Sequence, residues 1–153
     1  MDTYGCQQNE ADSERLRGYL SEMGYQFTQS EAEADLIVIN TCAIREHAEM
    51  RVLGNVGALV HTKRAKPGQL ICVCGCMAQE EHVAQKVRES YRQVDLLFGP
   101  HALWRFPELL WRFRATGKRV FEHADEAGSI AEGIPVVRPG GVKAWAASIY
   151  GRH

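Results

Sequence analysis

Two short apolar runs constrain the fold of this chain more than any other feature. Residues 36–39 read Leu-Ile-Val-Ile and residues 70–73 read Leu-Ile-Cys-Val. Short continuous runs of this kind are typical of strands that are buried on both faces. Residues 94–98, Val-Asp-Leu-Leu-Phe, predict a weaker third strand. The chain therefore contains at least the centre of a buried sheet.

Segments with helical periodicity separate these predicted strands. They are a helix capped by Asn9 that buries Leu16, Leu20 and Met23, a helix over about 44–64, one that carries Val83 and Val87, and one between Pro107 and Gly117. Strand and helix thus alternate, which predicts an α/β fold. We expect three layers, a flavodoxin-like or Rossmann-like parallel sheet flanked by helices, with ligands beyond the carboxyl ends of the strands.

Composition excludes several classes of protein. The 153 residues are 45% hydrophobic and 24% charged, as in a soluble globular domain, and the net charge of -1 provides no overall field that would attract a polyanion. No apolar run approaches the roughly 20 residues that span a bilayer, and the first residues do not resemble a signal peptide. We expect a cytoplasmic protein without membrane contact.

The cysteines are the first candidates for chemistry, because an odd set of five in a reducing compartment is rarely disulfide-bonded. Cys6 precedes the first helix, whereas Cys42 and Cys76 each follow a predicted strand. In a parallel sheet we expect these positions to converge at one edge, where helix N-termini favour thiolates. Three thiolates would leave one iron of a [4Fe–4S] cluster open to an exogenous sulfur species.

Other interpretations of these residues remain open. The cysteines could be ordinary buried thiols, which suits Cys72 and Cys74 better than the other three. Zinc could recruit His47, His61 or His82, but no histidine has the spacing from a cysteine that finger motifs show. A nucleotide-binding flavodoxin-like domain is disfavoured because no glycine-rich phosphate loop follows a strand.

Two basic stretches, 61–66 and 112–119, could contact an RNA backbone, with Trp104 and Trp111 as stacking candidates. Cations in the last turn of a helix are usually solvated, and tryptophans usually pack inward. We therefore expect both tryptophans to pack against the sheet.

Four segments resemble a known family, the N-terminal domain of the methylthiotransferases. They are Thr-Tyr-Gly-Cys-Gln-Gln-Asn at 3–9, Asp-Ser-Glu at 12–14, Asn-Thr-Cys-Ala-Ile-Arg-Glu at 40–46 and Gly-Cys-Met-Ala-Gln at 75–79. The resemblance implies that Cys6, Cys42 and Cys76 are the ligands of an auxiliary [4Fe–4S] cluster. The sequence around Cys6 is more similar to the tRNA adenosine enzymes than to the enzymes that act on a ribosomal-protein aspartate.

The tRNA members of this family add a methylthio group to isopentenylated adenosine, using two [4Fe–4S] clusters and S-adenosylmethionine. The resemblance implies that this domain carries the sulfur-delivering cluster and meets tRNA only through the complete enzyme. It divides the chain into a cluster domain at 1–123, a linker at 124–141 and the start of a radical S-adenosylmethionine domain at 142–153. A related substrate, threonylcarbamoyladenosine or the aspartate, is the alternative.

The chain departs from the family pattern at both ends. Only Met1 and Asp2 precede Thr3, so the first strand of the family is expected to be missing. The chain also lacks the CxxxCxxC motif of the radical-generating cluster, so we expect it to be inactive without a radical domain, supplied in trans or by further sequence. A standalone cluster-binding or interaction module without turnover is the alternative function.

Overall fold

The predicted strands lie in the middle of a parallel sheet. The computed structural model describes residues 2–3, 7–41, 46–122 and 143–145, with side chains described for 12–41 and 49–122. The described strands are β1 (Asp2–Thr3), β2 (Gln26–Thr28), β3 (Leu36–Thr41), β4 (Leu70–Gly75), β5 (Leu96–Phe98), β6 (Val120–Glu122) and β7 (Lys143–Trp145). Their order is β2-β7-β3-β4-β5-β6, and β1 also pairs with β3.

Helices connect the strands as the periodicity predicts. They are α1 (Gln7–Glu22), α2 (Glu46–Ala65), α3 (Cys76–Gln79), α4 (Glu81–Ser90) and α5 (Phe106–Thr116), with a 3₁₀ helix at Pro100–Arg105. The predicted capping role of Asn9 is wrong, because α1 already begins at Gln7. The predicted end of the last helix is confirmed, since Gly117 follows Thr116 with a φ of 67°.

The core has two halves, one on each face of the sheet. Alternate residues of β3 divide between them: Leu36 and Val38 face α1 and α5, whereas Ile37 and Ile39 face α2 and α4. This alternation is possible only for a strand covered on both sides. Each such side chain contributes roughly 1.5–3 kcal/mol by leaving water. The predicted three-layer α/β architecture is confirmed.

The first strand is short rather than missing. Asp2 and Thr3 pair in parallel with Ile39 and Asn40 of β3. The expectation of an absent strand is therefore corrected, because two residues suffice to form the pairing that leads toward Cys6.

Strand β7 lies end to end with β1 along the same side of β3, where Leu36 and Ile37 pair with Ala144 and Trp145. It also pairs with β2, so it joins β2 to the rest of the sheet. These residues come from the segment predicted to open a radical domain, and here their backbone extends the sheet. The predicted linker at 124–141 lies wholly outside the described residues, as do residues 146–153.

Within the described ranges, no helix combines the length and the apolar character needed to cross a membrane.

Candidate functional site

The carboxyl ends of β3 and β4 form the centre of the candidate site. Their register pairs Asn40 with Cys74 and Thr41 with Gly75. Cys42 and Cys76 are therefore the next residues along two adjacent strands. Thr3 of β1 pairs with Asn40, and Cys6 follows it by three residues. Of the three predicted ligands, the structure describes Cys76, whereas Cys6 and Cys42 lie outside the described residues.

Cys76 is partly exposed and is the first residue of α3. The next two residues, Met77 and Ala78, are buried in the core half formed with α2 and α4. Because these two side chains are packed in the core, they anchor the turn and keep Cys76 at the surface, at the carboxyl end of β4. The helix α3, which begins at Cys76, has only four residues. A single turn aligns too few peptide dipoles to count as a helix terminus that activates the thiol.

Gly75 permits the close approach that places Cys76. Its φ of 99° and ψ of -170° are in a region of backbone conformation that residues other than glycine rarely adopt. A Cβ built there would lie 2.2 Å from the carbonyl oxygen of Thr41 and 2.6 Å from Asn40 Oδ1. The chain can thus turn from β4 into α3 directly against β3 only because this position lacks a side chain.

Unlike the partly exposed Cys76, Cys72 and Cys74 are fully buried, in the core half formed with α1 and α5. Burial, followed by the hydrogen bond and the charge of Cys74, raises the pKa of the Cys72 thiol well above its ordinary value. A thiol of this kind stays protonated and inert. The interpretation of these two cysteines as core residues is confirmed.

The histidines do not assemble a metal site in the part of the chain that the structure describes. His82 Nε2 lies 3.4 Å from Glu49 Oε2 at the surface, and His61 is exposed. The side chain of His47 lies outside the described residues. No group of three or more His, Cys, Asp or Glu side chains suited to a metal forms among the described residues.

Both tryptophans contradict the expectation that they pack inward. Trp104 is 41% exposed and Trp111 is 47% exposed. The basic residues near them are partly neutralised, because Arg112 forms ion pairs with Glu108 and Glu122. In the other basic stretch Lys63 pairs with Asp95.

Sequence reasoning assigned no role to Asn40, which the structure buries at the carboxyl end of β3. Its amide contacts both Ser13 and Cys74. The signal that could have found it is a lone amide that directly follows the apolar run of a buried strand and stands two residues before Cys42.

The fold and the site together define a class of protein. It is a parallel α/β domain in which a glycine at the carboxyl end of one strand lets the chain turn against the neighbouring strand, and a cysteine follows that glycine. The chain belongs to the family described as Uncharacterized protein family UPF0004, whose model matches residues 1–99.

Its curated relatives carry a more specific description. The chain is 46% identical over 151 residues to the tRNA-2-methylthio-N(6)-dimethylallyladenosine synthase of Acetivibrio thermocellus. This alignment covers 99% of the chain and 32% of the relative. It is 50% identical over 149 residues to the protein of that name from Caldicellulosiruptor saccharolyticus, covering 97% of the chain and 32% of the relative. The chain thus spans about a third of the length of these relatives. The resemblance to methylthiotransferases is confirmed.

Proposed function

We propose that this chain is the cluster-binding domain of a tRNA methylthiotransferase. In this proposal Cys6, Cys42 and Cys76 hold an auxiliary [4Fe–4S] cluster that delivers sulfur for the 2-methylthiolation of isopentenylated adenosine. The complete enzyme would act on tRNA in the cytoplasm, with S-adenosylmethionine used by a radical domain, and this domain would be inactive alone.

The observation that carries the proposal is the register of β3 and β4. Because Thr41 pairs with Gly75, β3 and β4 end at the same level on neighbouring strands, and Cys42 and Cys76 are the next residues in the sequence. The pairing of Thr3 with Asn40 leads the segment before Cys6 to the same edge. The name of the relatives, a tRNA-2-methylthio-N(6)-dimethylallyladenosine synthase, supports the choice of reaction.

The donor chemistry at this edge is consistent with an iron–sulfur cluster. Of the three cysteines whose side chains are described, Cys76 is partly exposed, whereas Cys72 and Cys74 are buried and lie in the core. Cluster ligands are thiolates, and a thiol at the edge can ionise more easily than one in an apolar core. The partly exposed thiol of Cys76 is therefore suited to bind an iron–sulfur cluster, and the buried thiols of Cys72 and Cys74 are not.

The residues of this chain would bind and orient the cluster. Gly75 would let Cys76 approach β3, and the buried Met77 would prevent the turn from moving when the thiolate is ligated. When bound through three cysteines, the cluster would supply an iron without a protein ligand for a sulfur species.

Anaerobic reconstitution with iron and sulfide tests the cluster directly. We expect about four irons per chain and a paramagnetic signal after reduction. Both should be lost in a variant that combines Cys6→Ala, Cys42→Ala and Cys76→Ala, because no thiolate ligand would remain at the edge. The measurements are iron and sulfide content and electron paramagnetic resonance.

Cys72→Ala is the matched control, since it removes a cysteine that the structure buries in the core. It should keep the full iron content. Circular dichroism of every variant separates loss of ligands from loss of fold. A folded triple variant that still takes up about four irons, or a folded wild-type chain that takes up none, would contradict the proposal.

The substrate is tested in a chimaera in which this chain replaces the 151 residues it matches in the Acetivibrio thermocellus relative. We expect the chimaera to form the 2-methylthio nucleoside in tRNA, measured by mass spectrometry of tRNA hydrolysates. The same chimaera with Cys76→Ala should form none. If the unaltered chimaera binds its clusters and still modifies no tRNA, the assigned reaction is wrong.

A further inference from the structure

One buried amide connects the chain segments that carry the three cysteines. Asn40 is 1% exposed and lies near the carboxyl end of β3. Its Nδ2 donates a hydrogen bond to Ser13 Oγ at 3.0 Å, and its Oδ1 accepts one from Cys74 Sγ at 3.9 Å. A buried amide with both ends engaged has one fixed orientation.

Each partner of this amide belongs to a different cysteine-bearing segment. Ser13 lies in α1, the helix that begins directly after Cys6. Asn40 itself precedes Cys42 by two residues, and Cys74 precedes Cys76 by two residues. The contacts therefore join α1, β3 and β4 within two residues of two of the predicted ligands.

The backbone around the amide is equally constrained. Thr41 Oγ1 donates to the carbonyl oxygen of Cys74 at 2.7 Å, which joins the same two strand ends again. Gly75 lies so close to Asn40 Oδ1 that a Cβ would be 2.6 Å from it. The turn that leads into Cys76 therefore lies directly against the Asn40 side chain.

We propose that Asn40 is a positioning residue for the proposed three-cysteine site: its amide links α1 to the ends of β3 and β4, the elements next in sequence to Cys6, Cys42 and Cys76. This inference rests on the proposed cluster-binding function. Groups that hydrogen-bond metal ligands directly typically change metal affinity by 10–100-fold. The described contacts of Asn40 reach residues near the predicted ligands, so we expect an effect at the lower end of this range.

Asn40→Leu tests the proposal, because leucine has the same number and branching of side-chain heavy atoms as asparagine but forms no hydrogen bond. Gln69→Leu is the matched control. Gln69 is also fully buried, and its Nε2 donates to the carbonyl oxygens of Glu31 and Ala34 at 2.8 and 2.9 Å, directly before β4 begins. Both variants lose a buried bridging amide, but only Asn40 lies at the cysteine edge.

After anaerobic reconstitution, we expect Asn40→Leu to release iron to a chelator about tenfold faster than the wild-type chain. The paramagnetic spectrum of its reduced cluster should also change. Gln69→Leu should lower the melting temperature to a similar extent while leaving both the release rate and the spectrum unchanged. Ser13→Ala, which removes one of the two contacts, should have an intermediate effect.

A second measurement needs no iron. In the apo chain, a short bifunctional thiol reagent should cross-link Cys42 to Cys76, and the yield, measured by mass spectrometry of peptides, should fall in Asn40→Leu but not in Gln69→Leu.

The outcomes separate the two proposals. A wild-type chain that binds no iron but shows the Asn40-dependent cross-link would refute the cluster while supporting the positioning role. If the cluster binds and Asn40→Leu matches Gln69→Leu in release rate, spectrum and cross-linking yield, Asn40 is merely a core residue.

Discussion

The two ends of the central strands are held together by different chemistry. At the amino ends, ion pairs form links in addition to the buried Gln69 amide: Lys63 pairs with Asp95 just before β5, and Lys66 pairs with Asp35 just before β3 at 2.6 Å. At the carboxyl ends, the described links between β3 and β4 join neutral groups, namely the Asn40 amide, the Cys74 thiol and the Thr41 hydroxyl.

The difference teaches where this domain depends on charge and where it depends on shape. A partly exposed ion pair can be weakened or replaced at modest cost, because water solvates the partners when they separate. A glycine in contact with a neighbouring backbone has no such alternative, because no rotamer change relieves the overlap. We therefore expect the cysteine edge to tolerate substitution less than the amino ends.

The largest effect is expected for Gly75→Ala. The new Cβ would overlap the Thr41 carbonyl oxygen at 2.2 Å, and the backbone has a φ of 99°. We expect a loss of about 3 kcal/mol or more in the free energy of unfolding, from strain and overpacking together. Denaturant unfolding measures it.

Gly54→Ala is the control for this prediction, since a Cβ at this position in α2 meets nothing within 4 Å. It should stabilise the chain by roughly 0.5–1 kcal/mol, as alanine does in a helix interior. If both alanine variants are as stable as the wild-type chain, the conclusion that the carboxyl end of β4 has no room for a side chain at Gly75 is wrong.

An intermediate effect is expected for Asp95→Ala. The side chain of Asp95 is 8% exposed, and its Oδ2 accepts hydrogen bonds from Lys63 and, at 3.0 Å, from the backbone N–H of Ile71. Removing it leaves a buried N–H and a partly buried cation without their partner, which costs about 2 kcal/mol. Thermal and denaturant unfolding measure the loss.

Lys63→Met sharpens this result, because Asp95 then keeps its hydrogen bond to Ile71. We expect Lys63→Met to cost about half as much as Asp95→Ala. An equal or larger cost would mean that the ion pair, rather than the link to the backbone, holds the amino end of β5.

The smallest effect is expected at the edge of the sheet, for Glu108→Gln. Hydrogen bonding from Arg105, followed by the charges of Arg105 and Arg112, lowers the pKa of Glu108 below its ordinary value. A carboxyl group whose pKa is lowered by folding stabilises the folded state above its unfolded pKa and loses that contribution as the pH falls through the folded pKa.

The carboxylate is partly exposed, so the variant should cost at most about 1 kcal/mol at neutral pH. The difference between Glu108→Gln and the wild-type chain should begin to shrink as the pH falls below about 4.3, the pKa of an unfolded glutamate, and should disappear below the lowered pKa of the folded state. Melting temperatures across this range check it, and added salt should reduce the neutral-pH difference as well. A difference that is independent of pH would show that packing, rather than charge, is lost.

Much of the fold could be predicted because local apolar patterns reflect burial directly. The runs at 36–39, 70–73 and 94–98 became β3, β4 and β5, and the helix over 44–64 became α2. The short strands β2 and β6 were not predicted, since three residues carry too little periodicity. The burial of both tryptophans was predicted wrongly, because α5 fills its contact with the sheet using Phe106, Leu109 and Leu110.

The sequence alone identified the candidate residues of this site: Cys6 before the first helix, and Cys42 and Cys76 after strands. A strand order cannot be read from one chain, so only the tertiary structure decided that β3 and β4 are neighbours in a register that pairs Thr41 with Gly75. It also decided that Asn40 meets Ser13 and Cys74, residues 27 and 34 positions away. Such contacts depend on side chains brought together by packing of the whole domain, and no local pattern encodes them.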